Sequence, residues 1–166
     1  MSIILKPFMF LALAGFVASV VSHIAGFAGI DKPFGFDPWP LHIGIFAVWL
    51  PAVIVAQTLS KDFPQKDMWK ATLRGCPKWV KYALYGLFGY AFLSFFAFVA
   101  TDIGAGSEAG KVRGFSGHWM VFYFAAYAIL RSAINVSATD TVRRCHNGHP
   151  LEPNDKYCSQ CGSQTK

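Results

Sequence analysis

Apolar residues gather into four long runs, at positions 8–30, 41–59, 82–100 and 118–138, with short polar stretches between them. A helix of about 20 residues rises roughly 30 Å, the thickness of a bilayer's hydrocarbon core. Each run therefore predicts one membrane-crossing helix. The separators are helix breakers or polar loops. Residues 31–40 contain Pro33, Pro38 and Pro40, which a helix interior does not accept. Residues 101–117 are rich in Gly and Ser, and residues 60–81 are polar and basic. In the middle loop, Met68, Trp69, Leu73, Trp79 and Val80 alternate with cations, which favours an ordinary basic loop held at the lipid headgroups, with a short interfacial helix interrupted at Gly75-Cys76-Pro77 as the alternative.

Composition agrees with this pattern. The chain is 54% hydrophobic and only 14% charged, with 16 Phe. A soluble domain carries about a quarter charged residues. The expected fold is an all-α polytopic membrane bundle over residues 1–141, followed by a tail over residues 142–166. The first run has the alternative of a cleaved signal peptide, with Lys6 before it and Gly26-Phe27-Ala28 near its end. Its length exceeds the roughly 7–15 residues of a signal core, which favours a retained helix.

Charge sets the expected orientation. The middle loop holds Lys61, Lys66, Lys70, Arg74, Lys78 and Lys81, and the tail adds Arg143, Arg144, Lys156 and Lys166. The two other loops together hold Lys32, Lys111 and Arg113. The positive-inside rule puts both termini and the middle loop in the cytoplasm. Topology alone requires these cations, so they give no reason to expect a nucleic acid. Trp39, Trp49, Trp79 and Trp119 fall near run ends, where aromatic belts form.

The tail carries the sharpest chemical pattern: Cys145-x3-His149-x8-Cys158-x2-Cys161. Three thiolates and an imidazole in two close pairs suit a closed, tetrahedral structural Zn²⁺ site. A reducing cytoplasm keeps such thiols available. About twenty residues cannot fold on apolar burial alone, so metal would supply the folding free energy. The segment Asn147-Gly148-His149 with Tyr157-Cys158-Ser159-Gln160-Cys161-Gly162 resembles the short zinc-ribbon tails of bacterial membrane and regulatory proteins. His149 stands where the all-Cys form has a thiol. The resemblance covers residues 145–162 only. It implies a structural metal and a docking surface, and no activity; with the topology it suggests a bacterial inner membrane.

Polar residues within the runs are the remaining candidates. His23, His42 and His118 are expected in the outer half, where they would either converge on a second metal or a haem, or each hydrogen-bond locally. Gly15, Ser19, Ser22 and Gly26 share one face of the first helix and predict a close-packing seam. Tyr123, Tyr127, Arg131 and Asn135 recur at steps of four in the fourth, and Gln57 is a candidate partner for Arg131. Signatures of a phosphate loop, a dinucleotide fold, a nucleophile elbow or a zinc protease are missing. The reading favoured by the sequence is a non-enzymatic membrane protein whose zinc-bound tail serves docking or assembly, with lipid around it and a protein partner or further copies of itself. The alternatives are a membrane redox or metal-handling protein using the histidines, and a small channel or carrier built around Arg131.

Overall fold

The computed structural model describes residues 2–101, 106–139, 143–151 and 155–164. The expected boundary between bundle and tail, at residues 141–142, lies outside them, as does Lys166. Four long helices form the body: α1 (Ser2–Phe27), α2 (Pro40–Ser60), α4 (Lys78–Thr101) and α5 (Glu108–Thr139). A 3₁₀ turn (Gln65–Asp67) and the short α3 (Met68–Thr72) lie between α2 and α4. All four long helices are long and apolar enough to cross a membrane. Their outward faces are hydrocarbon: Ile4, Phe46, Ile54, Phe88 and Leu93 are all mostly exposed. Water would not sustain an apolar surface of that extent. The molecule is a polytopic all-α membrane bundle.

α5 is its centre. In its most apolar stretch, 67% of residues are buried, against 22%, 22% and 11% for α1, α2 and α4. The other three pack around it. Small residues make the closest approach possible. Ser19 and Ser22 of α1 are fully buried, and their hydroxyls donate to the carbonyls of Gly15 and Ala18 within their own helix. Neither hydroxyl needs an outside partner, so α5 can lie flat against the seam. A side chain at Gly15 would overlap the Tyr123 ring, and one at Gly26 would press on the Arg113 backbone.

Two helix ends differ from the apolar runs. α1 stops at Phe27 because Gly29 takes a left-handed backbone (φ 77°). Its N–H bonds the Gly26 carbonyl and that of Ile30 bonds Ala25, which closes the helix with a Schellman turn. α5 begins ten residues before its apolar run. The Ser107 hydroxyl caps it by accepting the Gly110 N–H at 3.0 Å, and Glu108 favours the positive end of the helix dipole. This added length buries Ala109, Val112 and Ser116. It also moves Trp119 well inside the helix, where it is fully buried rather than part of an interfacial belt. Trp79, 59% exposed, keeps a rim position. α2 runs on through Pro51.

The middle loop is pinned to the bundle rather than lying loose on it. The Gly75 N–H donates to Ser132 Oγ at 3.0 Å, and Asn135 Nδ2 donates to the Gly75 carbonyl at 2.9 Å. The Cys76 thiol donates to the Ala128 carbonyl at 3.1 Å. Arg74 donates to the Leu59 carbonyl at 2.8 Å, satisfying an orphan group at the end of α2. A Cβ on Gly75 would overlap the Ser132 carbonyl oxygen, and neither backbone can yield. We expect Gly75→Ala to lower stability by about 1–3 kcal/mol. Gly86→Ala, where a methyl meets open space, should be neutral or stabilising by up to about 1 kcal/mol. Unfolding midpoints of the two variants in detergent check both.

Candidate metal centre and intramembrane polar groups

The tail is built from two turns that repeat one design. In the first, the isolated bridge Arg144↔Pro150 closes a loop around Cys145 and His149. The Cys145 N–H donates to the His149 carbonyl at 2.9 Å and the Gly148 N–H to the Cys145 carbonyl at 2.9 Å. In the second, the bridge Tyr157↔Gln164 encloses Cys158 and Cys161. There the Cys158 N–H donates to the Ser163 carbonyl and the Gly162 N–H to the Cys158 carbonyl, each at 2.8 Å. Gly148 (φ 79°) and Gly162 (φ 70°) supply the left-handed residue each turn requires.

The two turns face each other and bring four ligand atoms together. Nδ1 of His149 and Sγ of Cys145, Cys158 and Cys161 all lie within 4.8 Å of one another. Cys145 Sγ is 3.6 Å from His149 Nδ1 and 3.7 Å from Cys161 Sγ, and Cys158 Sγ is 3.7 Å from His149 Nδ1. Metal bonds of about 2.3 Å to sulfur and 2.0 Å to nitrogen give tetrahedron edges of roughly 3.5–3.8 Å. The spacing fits that shape, and a sulfur pair at 3.7 Å is not a disulfide. The group can therefore hold a metal ion.

The surroundings favour the thiolate at Cys145 and Cys161 but not at Cys158. Cys161 is brought down to about 5, chiefly by the Ser163 hydroxyl and backbone N–H and then by His149. Burial pushes the Cys158 thiol up. It acts on Cys145 too, but the backbone N–H groups of His149 and Asn147 outweigh it, and that thiol is lowered. Hydrogen bonding to Cys161 raises the His149 imidazole. A thiolate is the form that binds metal. Buried apolar support is small. Among the described residues, the tail's core is Cys145, Leu151 and Cys158. The tail meets the middle loop through Arg144, 3.7 Å from the Asp62 carboxylate. That pair is half exposed and contributes at most about 1 kcal/mol.

The three intramembrane histidines have separate surroundings. His23 lies between Ser116 Oγ, 2.7 Å from Nδ1, and Tyr90 OH, 2.6 Å from Nε2. Ser116 donates its own proton to the Arg113 carbonyl, so it accepts from Nδ1–H, and the Tyr90 hydroxyl pairs with Nε2. His42 Nδ1 accepts from Trp119 Nε1 at 2.9 Å. His118 rests edge-on against Phe95, with centroids 4.8 Å apart. Among the described residues, the group in the tail is the one set of three or more ligating side chains close enough to share a metal. Arg131 donates to the Tyr127 hydroxyl one turn back and lies 5.9 Å from that ring's centroid. Gln57 is exposed on α2. Asn135 pins Gly75, as described above.

Tyr90, Ser116 and Trp119 were not legible as partners in the sequence. Each meets its histidine only because of how two helices are rotated against each other, and periodicity does not set that rotation. No family model, no curated protein and no solved structure matches this chain.

Cys76 differs from the tail thiols. It is buried in the bundle, and burial pushes its thiol up. In metal-stripped protein we expect three thiols to react promptly with a maleimide at neutral pH. The fourth, Cys76, should react only on unfolding. Peptide mapping of the labelled sites checks this, and four prompt thiols would contradict it.

Proposed function

We propose that this is a non-enzymatic integral membrane protein whose tail, folded by one structural Zn²⁺, serves as a docking or assembly element. The observation that carries the reading is the closed ligand set. Three sulfurs and one nitrogen lie within 4.8 Å of one another, with three of their separations at 3.6–3.7 Å, the edge length of a zinc tetrahedron. Catalytic zinc needs a position left open for water or substrate, and four protein ligands leave none. Zinc suits the set because borderline-soft thiolate and imidazole ligands in this geometry are its usual company. The two turns with left-handed glycines support a zinc ribbon of the kind the sequence resembles.

In this reading the metal does no chemistry. It joins two turns that share a three-residue core, and so gives the tail one defined surface. Tyr157, 61% exposed, is a large apolar residue on that surface, with Arg143 and Arg144 also exposed. An exposed aromatic beside cations suits a protein partner, including a second copy of the chain. The Lys-rich loop and the tail share one end of the bundle, and the positive-inside rule makes that end cytoplasmic.

Purified full-length protein is expected to carry one zinc per chain by elemental analysis. Cys158→Ser and His149→Ala should reduce that to less than about a tenth and make the tail protease-sensitive, while the helices stay intact. Cellular protein levels and in-cell crosslinks give the functional readout. If replacing both Cys158 and Cys161 leaves levels and every crosslinked partner unchanged, the docking role is wrong even if zinc is bound.

A further inference from the structure

A second site lies within the membrane region and is independent of the tail. A cavity of about 480 Å³ sits among α2, α3, α4 and α5. Its size falls in the range of small-molecule sites, roughly 300–1,000 Å³. Trp49, Trp69, Tyr85, Phe88 and Phe122 make its wall largely aromatic, and His118 joins them. Phe88 is 61% exposed, so this wall also faces the bilayer. A molecule dissolved in the membrane can reach the cavity sideways.

Two buried polar atoms lack a partner among the described residues, Thr72 Oγ1 and His118 Nδ1, and of the two residues only His118 lines the cavity. His23 and His42 each hold defined hydrogen bonds. Nδ1 of His118 is buried and has no partner among the described residues. An unsatisfied buried nitrogen costs about 1–3 kcal/mol. A half-turn about Cβ–Cγ would present a ring nitrogen on the other side of the imidazole without changing the ring's outline.

Depth narrows the occupant. His118 is ten residues from Glu108, about 15 Å along α5, within its candidate membrane span Glu108–Val136. A phospholipid keeps its polar atoms at the interface and offers only acyl chain at this depth. An ionised fatty acid is disfavoured there. The fitting chemistry is an uncharged, flat, apolar ring with a hydrogen-bonding oxygen. We propose that this cavity binds a membrane-soluble quinone, its ring among the aromatic walls and a carbonyl oxygen accepting the His118 N–H. The ligand's isoprenoid chain stays in the lipid beside Phe88. The proposal concerns binding alone.

The probe is decylubiquinone, added to the full-length protein in phospholipid nanodiscs and followed by tryptophan fluorescence, since Trp49 and Trp69 line the cavity. Saturable quenching is expected. His118→Phe keeps an apolar ring and removes the donor, and should weaken binding about tenfold. His118→Gln restores a donor and should recover most of the affinity. Ala125→Leu narrows the cavity and should also weaken binding, which covers the case in which the His118 variants fail to fold. Quenching that never saturates, or saturates equally in His118→Phe and Ala125→Leu, would overturn the proposal. The cleft would then hold ordinary acyl chains.

Discussion

The buried polar groups of α5, His118 Nδ1 apart, find their partners inside the protein, because the surrounding lipid offers none. Most of the architecture follows from that. α5 is the most deeply buried of the long helices and carries Ser116, Trp119, Tyr123, Ser132 and Asn135. Ser116 meets His23 of α1 and Trp119 meets His42 of α2. The Tyr123 hydroxyl donates to the Leu41 carbonyl of α2 at 2.8 Å, with its ring against Gly15 of α1. Ser132 and Asn135 hold the middle loop at Gly75. Together these bonds tie α5 to α1, to α2 and to the middle loop. Turning α5 by a quarter turn would break them together and present these groups to hydrocarbon. Van der Waals packing alone would tolerate several rotations, since lipid is as apolar as the helix faces it replaces. Hydrogen bonding selects one.

The tail obeys a different constraint. Among its described residues the core is Cys145, Leu151 and Cys158, which is little apolar burial to order it. Two glycine turns bring four ligand atoms within 4.8 Å of one another, a group that could hold a metal ion, and in the proposed reading metal coordination supplies the folding free energy. Among the described residues, tail and bundle meet at a weak, half-exposed ion pair, Arg144–Asp62.

Much of this was legible in the sequence, for definite reasons. The four spans could be read because hydrocarbon thickness demands about 20 apolar residues. The metal group could be read because its ligands lie close in sequence and its turns need glycine. The start of α5 was hidden because residues 108–117 are polar enough to read as a loop. They are helical because Ser107 caps them and because they pack on α1 and α4 instead of lipid. The buried place of Trp119 was hidden with it. Which histidines meet which partners was unreadable, since those pairs span 67 to 93 residues and depend on helix rotation. The cavity beside His118 was hidden for the same reason.

X-ray absorption at the zinc edge, on purified full-length protein, tests the metal centre most directly. The expected first shell is three sulfurs at about 2.3 Å and one nitrogen at about 2.0 Å. A shell dominated by oxygen or nitrogen, or one unchanged when Cys145 is replaced by Ser, would contradict the four-ligand site.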